Sequence, residues 1–228
     1  MNSKPYLNNP SLANCDLLRV GEEIEELMAG GVNMVHIDIM DGHYVPNLCF
    51  PVSFVRAVKR RFPSLLADIH LMATNPEHYI EPLAECGADY TSFHLDSTSF
   101  PIRLLGKIKS CNMKAGVVIN PSQCVGAVEP VLDLLDYAVL MSVEPGFAGQ
   151  QFLAGSHERL EKLVSLRERS TNRFLISVDG GITTECGIRC ANAGADMLVT
   201  NIYTVFNQPD GITGACRRFT RELNKRNL

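Results

Sequence analysis

Eight apolar runs alternate with eight helix-like segments along this chain, and that rhythm leaves few folds open. The strand-like runs lie at residues 6–11, in the opening half of 35–47, and at 64–71, 88–94, 114–120, 135–143, 174–178 and 195–200. The segments 16–29, 53–61, 76–86, 101–111, 125–132, 155–169, 185–193 and 211–225 read as helices, the first stopped by Gly30-Gly31 and the third by Gly87. In the first helix the apolar positions are Leu17, Leu18, Ile24 and Leu27. Eight strand–helix units with no strand left over are what a closed (β/α)₈ barrel requires. An open doubly wound sheet would want a glycine-rich first turn, and Pro10-Ser11-Leu12-Ala13 is not one. The 228 residues, 46% hydrophobic and 20% charged, suit one such domain over 1–228 with no linker.

Chemistry enters with the second strand. Val35, Ile37 and Ile39 alternate with His36, Asp38 and Met40, so the histidine and the aspartate point the same way. Such a strand, apolar-flanked on both faces, belongs in a parallel sheet. A carboxylate buried there costs several kcal/mol, on the order of a few even after relaxation, unless a cation or partner compensates it. A metal ion would do so; a core histidine that merely hydrogen-bonds a neighbour is the plainer alternative. Barrel enzymes gather reacting groups at the C-terminal ends of their strands. Here the second strand carries His36 and Asp38, the third ends with His70 and the seventh with Asp179. Each has a dull explanation alone, a satisfied core histidine or a tight Asp-Gly-Gly turn. Together they form a nitrogen-and-oxygen shell suited to Zn²⁺, Fe²⁺ or Mn²⁺.

Two further patterns surround that layer. Gly146-Phe147-Ala148-Gly149 follows the sixth strand and Gly180-Gly181 the seventh, where backbone N–H groups can close on a phosphate. Met40, Met72 and Met141 sit near the ends of strands that carry or adjoin the site. Methionine is by default a gap-filler in cores, but this matched placement points to an apolar, polarizable wall around a reactive intermediate.

Composition narrows the partners. A formal charge of −4, with no basic block or aromatic-basic interleaving, argues against nucleic acid. No run approaches the ~18–20 apolar residues of a membrane span. Met1-Asn2-Ser3-Lys4-Pro5 has no apolar core of a signal peptide. The eight cysteines, at 15, 49, 86, 111, 124, 186, 190 and 216, include no Cys-x-x-Cys pair and read as reduced core residues of a cytoplasmic protein.

His36-Ile37-Asp38-Ile39-Met40-Asp41-Gly42-His43-Tyr44-Val45-Pro46-Asn47 closely resembles the signature of the ribulose-phosphate 3-epimerase family. His70-Leu71-Met72, Glu144-Pro145-Gly146-Phe147-Ala148-Gly149-Gln150 and Val178-Asp179-Gly180-Gly181 are similar to its later motifs, in order, and the likeness runs from Pro10-Ser11 onward. The Ala148 form of the glycine loop looks closer to members acting on allulose 6-phosphate. The resemblance implies a metal-dependent barrel that inverts C3 of a ketose phosphate, of the ribulose 5-phosphate to xylulose 5-phosphate type. It implies metal ligands at His36, Asp38, His70 and Asp179, for Zn²⁺, Fe²⁺, Mn²⁺ or Co²⁺, and acid–base carboxylates at Asp38 and Asp179. Substrate contacts fall on Ser11, His70, Gly146, Phe147, Ala148, Gly149, Gly180 and Gly181, and a homo-oligomer, dimer or hexamer, is implied. Two carboxylates on distant strands can stand on opposite faces of a sugar, as inversion next to a carbonyl demands.

One departure concerns the phosphate. After the eighth strand the family has Gly followed by Ser or Thr, whereas Asn201 and Ile202 stand here, followed by Tyr203. Asn tolerates a left-handed backbone, so an N–H of Asn201 is expected to point at phosphate still, while Ile202 offers no hydroxyl. Three alternatives compete with the epimerase. A metal-dependent hydrolase would want His-x-His after the first strand, and Asn14 to Leu18 has none. A related decarboxylase or synthase would want a lysine near Ile39 and Met40. A non-catalytic sugar-phosphate binder would have lost a ligand or a carboxylate, and all four positions are filled.

Overall fold

Both faces of β2 (Met34–Met40) are buried, one against helices and the other inside a barrel. Val35, Ile37 and Ile39 join the large apolar cluster between strands and helices, while His36 and Asp38, of opposite parity, face inward. The computed structural model describes residues 6–225 and repeats this arrangement around a ring. The other strands are β1 (Leu7–Asn8), β3 (Leu66–Met72), β4 (Tyr90–His94), β5 (Lys114–Ile119), β6 (Tyr137–Met141), β7 (Leu175–Asp179) and β8 (Met197–Val199). Neighbours pair in parallel in the order β1-β8-β7-β6-β5-β4-β3-β2. The ring closes between its ends through a parallel bridge of Ser11 with His36, whose N–H donates to the Pro10 carbonyl at 2.9 Å. The fold is a (β/α)₈ barrel, as the strand count required. The five N-terminal residues read above for a leader lie outside the described residues.

The helices are α1 (Val20–Ala29), α2 (Val52–Arg61), α3 (Ile80–Cys86), α4 (Pro101–Ser110), α5 (Ser156–Arg169), α6 (Thr184–Asn192) and α7 (Gly211–Asn224). Two expectations are corrected. The first helix starts at Val20 rather than at 16, and Leu17 and Leu18 are 68% and 96% exposed instead of packing inward. The Asp16 side chain accepts the Leu18 N–H at 3.0 Å and its carbonyl accepts Arg19 N–H at 2.8 Å, a local turn that competes with helix. After β5, Val125–Leu134 is a 3₁₀ segment, because Pro130 inside it cannot donate to an α-helical ladder. No helix among the described residues is long and apolar enough to cross a membrane, and all eight cysteines are free.

Inside the barrel a smaller apolar cluster is built from Val118, Tyr137, Val139, Met141 and Val143. Tyr137, wholly buried, lies across Gly116, its register partner on β5. A Cβ on Gly116 would come within 2.4 Å of the Tyr137 ring. We expect Gly116→Ala to lower stability by about 1–3 kcal/mol through overpacking, read as a lower urea midpoint. An unchanged midpoint would mean that the tyrosine has room to move.

Candidate metal centre and active site

Register decides which inward side chains meet. Across β2 and β3, His36 lies level with Asp68, Asp38 with His70 and Met40 with Met72, so three layers rise toward the C-terminal mouth. On the far side Asp179 of β7 is level with Met141 of β6. The result brings His36, Asp38, His70 and Asp179 together, one donor atom from each lying within 4.8 Å of the others. His36 Nε2 lies 3.5 Å from Asp38 Oδ1 and 3.5 Å from Asp179 Oδ2. His70 Nδ1 lies 3.3 Å from Asp38 Oδ1, 3.4 Å from Asp179 Oδ2 and 3.4 Å from His36 Nε2.

Those spacings test the donor set. Metal–ligand bonds of about 2.0–2.1 Å at tetrahedral angles separate the ligand atoms by about 3.3–3.4 Å. The five distances above match that edge length and exceed a good hydrogen bond. Charge matches as well, since two carboxylates and two neutral imidazoles balance a dication. Imidazole protons are the alternative compensation. Burial opposes charge on His36 and His70, yet the carboxylates of Asp38 and Asp179 raise both above the usual imidazole range. Burial likewise opposes charge on Asp38 and Asp179, and the two imidazoles hold both below the usual carboxylate range.

Outer partners brace the four. The Ser11 hydroxyl donates to Asp38 Oδ2 at 2.7 Å, which leaves Oδ1 to the cluster. His36 Nδ1 lies 2.8 Å from Asp68 Oδ2. Asn9 Nδ2 donates to that same oxygen at 2.7 Å, and the Tyr137 hydroxyl donates to Asp68 Oδ1 at 2.8 Å. His70 Nε2 meets His94 Nε2 at 2.8 Å, so one proton sits between the two nitrogens. Burial and the neighbouring His70 push His94 well below the usual imidazole range, which keeps it neutral and able to accept. Tyr44 covers His94 with ring centroids 4.5 Å apart and donates to Asp96 at 2.8 Å.

The sequence did not single out Asp68, His94, Asn9 or Tyr137. Strand parity would have found Asp68, two residues before His70, and His94 ends β4 much as His70 stands near the end of β3. Tyr137 was hidden in an apolar run, and nothing local marked Asn9.

A cavity opens above the cluster at the C-terminal ends of the strands. Ser11, Asp38, His70 and Asp179 line it, and His36 lies beneath, fully buried. Met40, Met72 and Met141 form part of its wall, and Gly146, Phe147, Ala148, Gly149, Gly180, Gly181 and Asn201 surround its rim. Every residue expected at the site from the sequence is therefore at this one cavity or directly below it. Gly180 and Gly181 carry positive φ of 116° and 61°, a turn that a side chain would strain. At Gly181 a Cβ would also meet the Phe152 backbone nitrogen at 2.4 Å. The Asn47 amide donates to the Gly146 carbonyl at 2.8 Å and ties the loop after β2 to the glycine loop.

Asn201 departs from expectation. Among the described residues the only non-glycine positive φ angles are at Asn112 and Asn207, so Asn201 is not left-handed. Its N–H donates to Thr204 Oγ1 at 3.1 Å and is not free for a phosphate. Its Oδ1 accepts the Tyr203 N–H at 2.9 Å, and the Tyr203 hydroxyl reaches across to the Gly149 carbonyl at 2.7 Å. The turn after β8 is capped by its own side chains and braced on the glycine loop.

A sequence profile of the Ribulose-phosphate 3 epimerase family matches residues 8–205. The ribulose-phosphate 3-epimerases of Aquifex aeolicus and Bacillus subtilis are 40% and 39% identical to this chain, over 83% and 88% of it and 85% and 92% of their own length. Among solved structures, KGPDC from Streptococcus mutans superposes with a TM-score of 0.70 over 98% of this chain and 99% of that one. At 14% identity that likeness speaks for the barrel alone. With the profile spanning the barrel and relatives of this similarity covering most of its length, the chain belongs to the ribulose-phosphate 3-epimerase family of isomerases.

Proposed function

We propose that the protein is a metal-dependent 3-epimerase of a ketose phosphate, of the ribulose 5-phosphate to xylulose 5-phosphate type. The observation that carries this reading is the shell of two imidazoles and two carboxylates beneath a cavity at the barrel mouth, in which each imidazole lies 3.3–3.5 Å from both carboxylates and 3.4 Å from the other imidazole. His36, Asp38, His70 and Asp179 would hold a divalent ion, Zn²⁺, Fe²⁺, Mn²⁺ or Co²⁺. Such an ion, when bound, would supply Lewis-acid stabilisation of the negative charge that develops on the sugar as the C3 proton leaves.

The chain's own residues do the rest. Asp38 on β2 and Asp179 on β7 approach from different sides of the barrel, so one removes the C3 proton and the other returns a proton to the opposite face. Their roles exchange with the direction of reaction. Ser11 keeps Asp38 aimed through its 2.7 Å hydrogen bond. Met40, Met72 and Met141 wall the reacting carbon from bulk water, so the C3 proton leaves to one carboxylate and a different proton, drawn from solvent, arrives from the other. The glycine rim offers backbone N–H groups to the phosphate. From the family we carry over a cytoplasmic homo-oligomer, dimer or hexamer.

The reading is tested by following exchange of the C3 proton with solvent by NMR in D₂O, with Zn²⁺ or Fe²⁺ added. Ribulose 5-phosphate, allulose 6-phosphate and the unphosphorylated sugars are compared. Metal-dependent exchange with one phosphorylated ketose is expected and names the substrate. Exchange with a free sugar alone would move the specificity away from phosphate, and no exchange with any would sink the epimerase reading.

Asp179→Asn and Asp38→Asn should each reduce turnover by at least about 10²–10⁴-fold while far-UV circular dichroism stays native. Substantial residual turnover in either would remove that carboxylate from the proton transfer. Replacing Asn201 and Ile202 together by Gly and Ser should lower KM for the phosphorylated ketose and leave kcat little changed. An unmoved KM would show that the turn after β8 does not touch the phosphate.

A further inference from the structure

Asp68 lies on the same face of β3 as His70 and is wholly buried. A carboxylate in such a place is a poor packing group, since an apolar residue of the same size would need no partners. Its partners here are specific. Oδ2 meets His36 Nδ1 at 2.8 Å and Asn9 Nδ2 at 2.7 Å, while Oδ1 accepts the Tyr137 hydroxyl at 2.8 Å. Both oxygens are thus fixed from different strands, and the carboxylate cannot rotate without losing a bond.

A carboxylate that already accepts from Asn9 and Tyr137 is placed to accept from His36 too, so the neutral His36 that a metal ion needs carries its one proton on Nδ1. The Nε2 lone pair then faces Asp38, Asp179 and His70, the direction a metal ion requires. A carboxylate behind an imidazole also strengthens it as a ligand. His70 has no such backing, because it meets the neutral ring of His94. The two histidines of the shell are therefore unequal donors, and the difference lies in Asp68.

We infer that Asp68, clamped by Tyr137 and Asn9, is a positioning residue that locks His36 in the Nδ1–H tautomer and sets the metal affinity of the centre. This inference rests on the metal-dependent reading proposed above. Full-length wild type and Asp68→Asn, which preserves side-chain size, are titrated with Co²⁺ while the visible d–d bands are recorded. Wild type is expected to bind, and the variant to bind about 10–100-fold more weakly with shifted bands, its thermal unfolding still cooperative. Equal affinity and an unchanged spectrum in a folded variant would overturn the role of Asp68 and leave the metal centre standing. Failure of the wild type to bind Co²⁺ would overturn the metal centre and this role together. Should the variant not fold, ¹⁵N imidazole NMR of the zinc-loaded wild type decides. A proton on His36 Nδ1 supports the assignment, and a proton on Nε2 overturns it.

Discussion

Two carboxylates, each 3.3–3.5 Å from two buried imidazoles, are the constraint on which this cluster depends. Unit charges 4 Å apart interact by about 4 kcal/mol at an effective dielectric of 20, so two buried carboxylates cannot stay ionised near each other uncompensated. Protons on the imidazoles or a dication between the four groups are the available remedies. The five spacings of 3.3–3.5 Å around the imidazoles are those a dication between the groups would accept. A site neutralised by a cation would also be poised to steady negative charge on a substrate oxygen, as the proposed reaction next to a carbonyl needs.

The barrel supplies the placement. Parallel pairing puts Asp38 level with His70 and His36 level with Asp68, so each of these β2 side chains has a fixed neighbour on the next strand. Closure adds the remaining contact, because the Ser11–His36 bridge that seals the ring also carries the hydroxyl that holds Asp38. The layer below the ligands is polar and the layer around the mouth is apolar, formed in part by Met40, Met72 and Met141. The histidines of the cluster are anchored from outside it, His36 by Asp68 and His70 by His94.

The rim is where the chain has its own character. Tyr203 braces the turn after β8 onto the Gly149 carbonyl, and Thr204 takes up the Asn201 N–H. Asn47 ties a second loop to Gly146 from the other side. The His–Asp floor and the glycine rim thus rest on different contacts, and the rim can change while the floor keeps its geometry.

Much of this was determined by the sequence alone. Eight strand–helix units and the His-Ile-Asp alternation are local patterns, set by which neighbours a backbone period brings to one face, and they sufficed for the barrel and for the four side chains it gathers. Local competition already blurred the helices, where the Asp16 turn delayed α1 and Pro130 converted an expected helix to a 3₁₀ segment. What lies behind the ligands was decided only by tertiary structure. Asp68 meets Asn9 across 59 positions of sequence and Tyr137 across 69, contacts that exist only once the ring has closed and set its register. The Asn201 N–H was likewise settled by the way its turn folds back on Thr204. A periodic pattern states which way a side chain points, but only the closed barrel determines what it meets there.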